Sequence, residues 1–279
     1  MPWQLRPIVA PRVVRPESTF AFYEDSAGKG GFTNVTLLTA AYRIEGTGPA
    51  GAGLAPLVRW GFVTDDPAPG NRARGGFVFT NPLVGAAYAL KMGPLRGNAF
   101  FAATIPVGGG GNASPDPGSL NSRQKGLPAR AQMDNALFAA NDFTVIPGLG
   151  FAYVAHGFTA QVEVTLLHLM RVRGDAQQAE ASKTNLTTGL HLGYFVVPQL
   201  SIGAELRYQR WLNPPFTVER DPTDATWDNM SFAVGPRGHF PLGPATLRPG
   251  IAYHRGLDKP LAAATPNYHI VQIDVPVFF

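Results

Sequence analysis

From Tyr268 to Phe279 the chain reads YHIVQIDVPVFF, and its side chains sort by parity. Val271, Ile273, Val275, Val277 and Phe279 share one parity, while Gln272 and Asp274 take the other. Successive side chains on a strand point to opposite faces. This segment is therefore a strand with one apolar face and one polar face, closing on an aromatic. A strand of this kind needs an apolar surrounding on one side and a polar one on the other.

Eleven earlier stretches obey the same period. Strands are expected near 17–24, 33–44, 54–63, 77–91, 95–107, 143–154, 158–173, 184–197, 200–211, 228–240, 245–256 and 267–279. Phe143 to Val162 lacks charge and is long enough for a membrane helix. Pro147, Gly148, Gly150 and Gly157 interrupt it, so it reads as two strands around a turn at Ala155–Gly157. The connections alternate in length. Those after the fourth, sixth, eighth and tenth strands are tight (MGPL, AHG, VPQ, LGPA), and the intervening ones are long and polar. The Glu45–Gly53 link is longer than its tight counterparts. Short turns alternating with long loops mark an all-β, transmembrane, antiparallel up-and-down β-barrel of about twelve strands. Its tight turns are expected in the periplasm and its long loops outside the cell. Residues 1–16 are expected as a periplasmic segment or an extension of the first strand, and 17–279 as one barrel. Within it, 107–142 is expected as a long extracellular or inward-folded loop, with a helix from Ala129 to Ala140.

Composition agrees with a lipid-facing barrel. Charged residues make up 15% of the chain, against about 25% in soluble domains. Hydrophobic content is an average 45%, and 32 Gly with 26 Pro argue for turns over long helices. The absence of Cys excludes disulfides and thiol chemistry. A net charge of +4 without basic runs argues against nucleic acid as a partner. Met1-Pro2-Trp3 leads on without a secretion signal, so the chain reads as a mature form with an added Met, destined for the bacterial outer membrane.

Parity then assigns faces. Outward aromatics Tyr88, Tyr153, Tyr194, Phe240 and Phe279 fall near the tight-turn end, and Tyr208 and Tyr253 near the long-loop end. Two such belts are what anchoring at both membrane interfaces requires. The opposite parity places Arg59, Glu163, Arg171, Arg173, Glu205, Arg207, Arg237, Arg248 and Asp274 along the lumen. On that parity seven basic residues (these six Arg with Lys91) outnumber three acids, a balance that favours anions. Asp65, Asp66, Asp221 and Asp224 sit above it and oppose the excess. The bland alternative is a charge ladder bracing a narrow wall. Across the VPQ turn His191 is expected beside Glu205. Across a four-residue LGPA turn, Arg237 is expected opposite Arg248 and Ser231 opposite His254.

Few residues suggest chemistry. Gly108–Gly111 lacks the Lys-Ser/Thr of a phosphate loop, and the six His form no HExxH pair. Asp134, Asn135, Asn141 and Asp142 carry calcium-type oxygens without the spacing of a calcium loop. Ser231 and His254, with Asp274 as orienting acid, are the one arrangement suited to lipid hydrolysis. No catalytic residue, metal ligand or cofactor is assigned. The segments NPLVGAAYALKMG, RGNAFFAATIPVGGGGN and VPQLSIGAELRYQRW resemble outer-membrane proteins grouped as transporters of the phenol meta-degradation type. The likeness spans the fourth to twelfth strands and includes Pro106-Val107-Gly108. It implies a channel-like role and supplies no catalytic residue. The expected function is a porin-like channel for passive passage of small solutes or small hydrophobic compounds. The alternatives are a lipid-modifying hydrolase or a plugged structural or docking barrel. Expected partners are the lipid bilayer and lipopolysaccharide, small solutes, and the outer-membrane assembly machinery through Phe279.

Overall fold

In the computed structural model, residues 2–24, 28–69, 74–174, 180–220, 226–259, 261–262 and 267–279 are described. Asp221 and Asp224 lie outside these residues. Sixteen strand segments form one antiparallel sheet that closes on itself, because β1 (Val13–Glu24) pairs with both β2 (Gly30–Ala41) and β15 (His269–Asp274). The walls continue with β3 (Gly53–Asp66), β4 (Gly76–Phe79), β5 (Leu83–Met92), β6 (Leu95–Thr104), β7 (Asp142–Ala155) and β8 (Phe158–Arg171). They end with β9 (Ser182–Val197), β10 (Leu200–Asn213), β11 (Asp228–Gly238), β12 (Phe240–Leu242), β13 (Ala245–Leu247), β14 (Gly250–Gly256) and β16 (Val277–Phe278). Four walls are split, so the sixteen segments make a closed barrel of twelve antiparallel strands. No helix among the described residues is long and apolar enough to cross a membrane.

Proline accounts for three of the splits, since it donates nothing to a ladder. Pro82 separates β4 from β5, Pro249 separates β13 from β14, and Pro276 separates β15 from β16. At the first break the side chain of Asn81 turns inward. It donates to the carbonyls of Ala136 (3.2 Å) and Ala139 (2.8 Å) and accepts from Gly108 N–H (2.9 Å).

The tight turns hold two residues each. Gly93 and Gly243, at φ 60° and 58°, each precede a proline, and His156 and Gly157 both take positive φ. These are the backbone states of primed hairpin turns, which match the twist of flanking strands. The last turn joins Leu242 to Ala245, two residues shorter than the four-residue turn expected. The Gly243-Pro244 turn shares its centre with a four-residue LGPA turn, so this centre sets the pairing, two positions away from the expected partners and on the same faces. Arg237 lies opposite Gly250, Ser231 opposite Gly256, and His254 opposite Ala233.

The outer surface is an apolar band. Val84, Phe101, Leu149, Val162, Leu192, Ile202 and Ile251 are all exposed, at 42–60%. A continuous apolar surface of this kind needs a nonaqueous surrounding.

The lumen is filled from two directions. Residues 2–12 run inside the barrel ahead of β1, with Trp3, Leu5, Ile8 and Ala10 buried. The first strand starts at Val13, so the extension explains residues 13–16, and residues 2–12 are interior. From the other end the loop between β6 and β7 folds inward. It forms α1 (Pro117–Ala129) and α2 (Asn135–Phe138), not a helix from Ala129 to Ala140. Asp116 caps α1 by accepting from Ser119 N–H at 2.9 Å, with Pro117 in the first turn, a normal helix start. That amide holds the Asp116 carboxyl below its ordinary range. Positive φ at Ala131, Gln132 and Asp134 breaks the helix where continuation was expected. Ala129, Ala131, Leu137 and Phe138 pack into the barrel's apolar cluster with Val35, Leu37, Val63, Ile146 and Leu169.

Candidate functional site

The lumen holds two linked charge networks. Near the inward loop, Arg130 is completely buried and donates to Asp134 through Nε (3.0 Å) and Nη2 (2.9 Å). It also reaches Glu17 at 3.1 Å. Arg59 joins them, donating to Asp134 at 2.9 Å and to Glu17. Nearer the tight turns, Arg15 lies 3.0 Å from Glu17 and 2.6 Å from Asp274. Asp274 also accepts a two-pronged contact from Arg237, at 2.7 and 2.9 Å. A buried charge is tolerable only when paired and hydrogen-bonded, and both networks meet that condition.

Several predicted lumen residues hold the main chain of residues 3–7. Glu205 accepts the N–H of Trp3 and of Gln4 (3.1 Å), with His191 Nδ1 at 3.4 Å. Glu163 accepts Arg6 N–H at 2.8 Å and the Arg6 guanidinium at 2.7 Å. Gln161 and Asn98 donate to the carbonyls of Arg6 (2.8 Å) and Pro7 (2.9 Å). Arg15 and Gln272 donate to Trp3 O. The Arg237 guanidinium lies 4.2 Å from the Trp3 ring centre, and Arg6 lies 3.8 Å from that of Phe100. An irregular segment inside a barrel has no ladder to complete, so wall side chains must satisfy its backbone.

Other predicted residues sit at the rims. Arg171 pairs with Asp142 (3.3 Å) and Glu180 (3.6 Å), and Lys183 also reaches Asp142 (2.9 Å). Arg173 ties the root of the inward loop, donating to Asn112 Oδ1 (2.9 Å) and to the carbonyls of Ala140 (3.2 Å) and Pro106. Arg248 lies against the Phe278 ring at 4.2 Å. Glu17, Asp134, Asp142 and Glu180 come from positions the parity argument did not weigh, and Lys183 matches them from the basic side. Arg6, Arg15 and Arg130 were missed likewise. Arg15 and Glu17 share the inward parity of β1, a signal that was available.

The oxygen-rich group at 134–142 is consumed by pairing: Asp134 faces arginines, Asn141 accepts Asn112 N–H (2.7 Å), and Asp142 meets Arg171 and Lys183. The Ser231 hydroxyl accepts from Arg207 at 3.3 Å, and His254 Nδ1 lies 3.5 Å from the Gln4 amide. Ser231 lies opposite Gly256 and His254 opposite Ala233, which removes the geometry of the expected catalytic pair.

On the outside, Tyr88, Tyr153, Tyr194, Phe240 and Phe279 are exposed. Tyr208 and Tyr253 are half-buried, their hydroxyls meeting Asp228 (3.1 Å) and His269 (2.7 Å). Trp60, Phe77 and Phe79 add an exposed aromatic group, with centroids 5.0 Å apart for Trp60–Phe79 and Phe77–Phe79.

Between the N-terminal segment and the inward loop lies a cavity of about 150 Å³. Leu5, Arg6 and Pro7 line it from one side, and Met133, Asp134 and Leu137 from the other.

No family description matches the sequence, and no curated protein is similar to it. Solved structures do share its fold. An outer membrane channel from Pseudomonas putida F1 superposes with a TM-score of 0.57 at 12% identity, covering 99% of this chain and 100% of that one. The NanC porin gives 0.54 at 10% identity, over 95% and 98%. The translocator domain of the autotransporter NalP from Neisseria meningitidis gives 0.53 at 11% identity, over 99% and 90%. At these identities the likeness establishes the fold: a transmembrane β-barrel of the outer-membrane type.

Proposed function

We propose that the protein is an outer-membrane channel whose lumen is closed at rest and opens when residues 2–12 move. The observation that carries this reading is the way the segment is held. Over residues 3–7 its contacts to the wall run through side chains, and among the described residues backbone-to-backbone bonds appear only further on, from Ala10 N–H to Gly51 O (3.1 Å) and from Phe279 N–H to Arg12 O (3.2 Å). Such contacts break one at a time, each contributing about 1–3 kcal/mol where a charged group takes part. A brace that served only to strengthen the wall has no need of a separate threaded strand of chain. Glu163, Glu205 and Arg237, three of the residues expected to line a pore, hold this segment, so these groups serve closure and passage.

The wide apolar outer band and the aromatics at both ends support insertion in the bacterial outer membrane, with lipid and lipopolysaccharide outside the barrel. Phe279 suits presentation of the final strand to the assembly machinery. The resemblance to transporters of the phenol meta-degradation type, and the apolar part of the cavity lining, favour small organic solutes over ions. No residue arrangement favours catalysis.

Swelling of liposomes carrying the refolded protein tests the reading. Small organic solutes are expected to enter faster than into protein-free liposomes, and faster still after deletion of residues 2–10. A folded, inserted barrel that stays impermeable in both forms would instead be a structural shell.

A further inference from the structure

The cavity between the two lumen fillings is divided in character. Its apolar arc comes from Leu57, Leu83, Phe100, Ile146 and Leu167, on neighbouring walls β3, β5, β6, β7 and β8, with Leu137 of α2 above them. Beyond the arc's β8 end, with β9 between, β10 carries Arg207, 2% exposed and also lining the cavity. Four guanidinium groups line the cavity, those of Arg6, Arg15, Arg59 and Arg207, against three carboxylates, those of Glu17, Asp134 and Glu163. Arg6 is matched by Glu163, Arg59 by Glu17 and Asp134, and Arg15 by Glu17 and Asp274. Arg207 has no carboxylate partner among the described residues. Its Nη2 donates to Ser231 at 3.3 Å, while Nε and Nη1 are buried without an acceptor. A buried guanidinium left with donors to spare is costly unless an anion can meet it.

We propose that this cavity is a binding site for a small amphipathic monocarboxylate, its carboxylate on Arg207 and its apolar body on the arc from Leu57 to Leu167. One negative charge balances the surplus guanidinium. An arginine fork suits a planar carboxylate better than a spherical ion. An apolar cavity of about 150 Å³ accommodates a benzene-sized body, which limits the ligand to one ring or a short branched chain. The inference rests on the channel reading for its biological meaning, but the site itself can be tested without transport.

The test is titration calorimetry of the full chain in detergent micelles, with benzoate and its neutral counterpart benzyl alcohol as probes. Benzoate is expected to bind at least about tenfold more tightly. Arg207→Gln should erase the difference while leaving benzyl alcohol binding unchanged, with folding checked by heat-dependent gel mobility. If that variant does not fold, Leu167→Phe probes the other end, and narrowing the apolar arc should lower benzoate affinity by about tenfold. Equal binding of the two probes, or benzoate binding indifferent to both substitutions, would overturn the site. Chloride binding as tightly as benzoate would reduce it to an inorganic anion site and overturn the amphipathic assignment. Benzoate binding without flux into liposomes supports the site and defeats only the channel reading. Flux without a benzoate preference does the reverse.

Discussion

Residues 2–12 and the loop between β6 and β7 both enter the barrel, yet the wall holds them by different means. The loop brings its own secondary structure and buries Ala129, Ala131, Leu137 and Phe138 against wall residues. Its ion pairs centre on Arg130, which is completely buried. The N-terminal segment brings no helix or strand over residues 2–12 and is held by scattered polar contacts, with Trp3, Leu5, Ile8 and Ala10 as its buried apolar residues. Apolar packing and a shared charge network are lost together. Separate hydrogen bonds are lost singly, so the segment belongs to the low-stability end of the molecule. The loop acts as part of the core, and the segment acts as the movable closure.

That contrast can be broken most forcefully by deleting residues 2–10. Single-channel recording in planar bilayers should change from brief, rare openings to a sustained open level, with the barrel still folded. A sustained level that needs loop removal instead would reverse the assignment. A smaller but still large effect is expected from Arg130→Ala, which strands Glu17 and Asp134 in the interior. Loss of one partner from a buried network costs about 3–5 kcal/mol, read as a lower urea midpoint and faster tryptic cutting at Arg123 and Lys125. Deleting residues 2–10 should leave that proteolysis unchanged if the two fillings are independent. On the neutral ground between them, Leu149→Arg places a charge mid-wall on the outer band. It should cost about 2–4 kcal/mol in bilayers without altering conductance of the molecules that do insert. The smallest effect belongs to Glu205→Gln, which keeps one acceptor oxygen, turns the other into an amide donor and removes the charge. Open probability should rise several-fold, in line with about 1–2 kcal/mol for a charged hydrogen bond made neutral, while the urea midpoint barely moves.

The same contrast explains what could be read from the sequence. The walls were legible because a period of two runs through every strand and each tight turn carries Gly, Pro or His-Gly chemistry. Partner identity across the last hairpin was not, because it depends on where the turn is centred, and the centre at Gly243-Pro244 sets Arg237 opposite Gly250 and Ser231 opposite Gly256. Lumen residues such as Glu205 and Glu163 were found by parity, but their partners Trp3, Gln4 and Arg6 lie in a segment without period. Trp3-Gln4-Leu5-Arg6 alternates too briefly, among Pro2, Pro7 and Pro11, to signal an interior path. The inward helix did announce itself at Asp116-Pro117. Its Ser, Asn and Gly content concealed it, because it gains its stability from burial in the barrel and not from an amphipathic stripe of its own.

The central claim is that the N-terminal segment moves to open the channel. The chain contains no Cys, so thiols introduced by Gln4→Cys and Gln272→Cys, at side chains now 3.4 Å apart, would be the sole targets of a short, cleavable thiol crosslinker. Conductance recorded before linking, after linking and after cleavage tests the claim directly. Openings that vanish on linking and return on cleavage are the predicted result. Openings of unchanged size and frequency with the segment tied to the wall would contradict it.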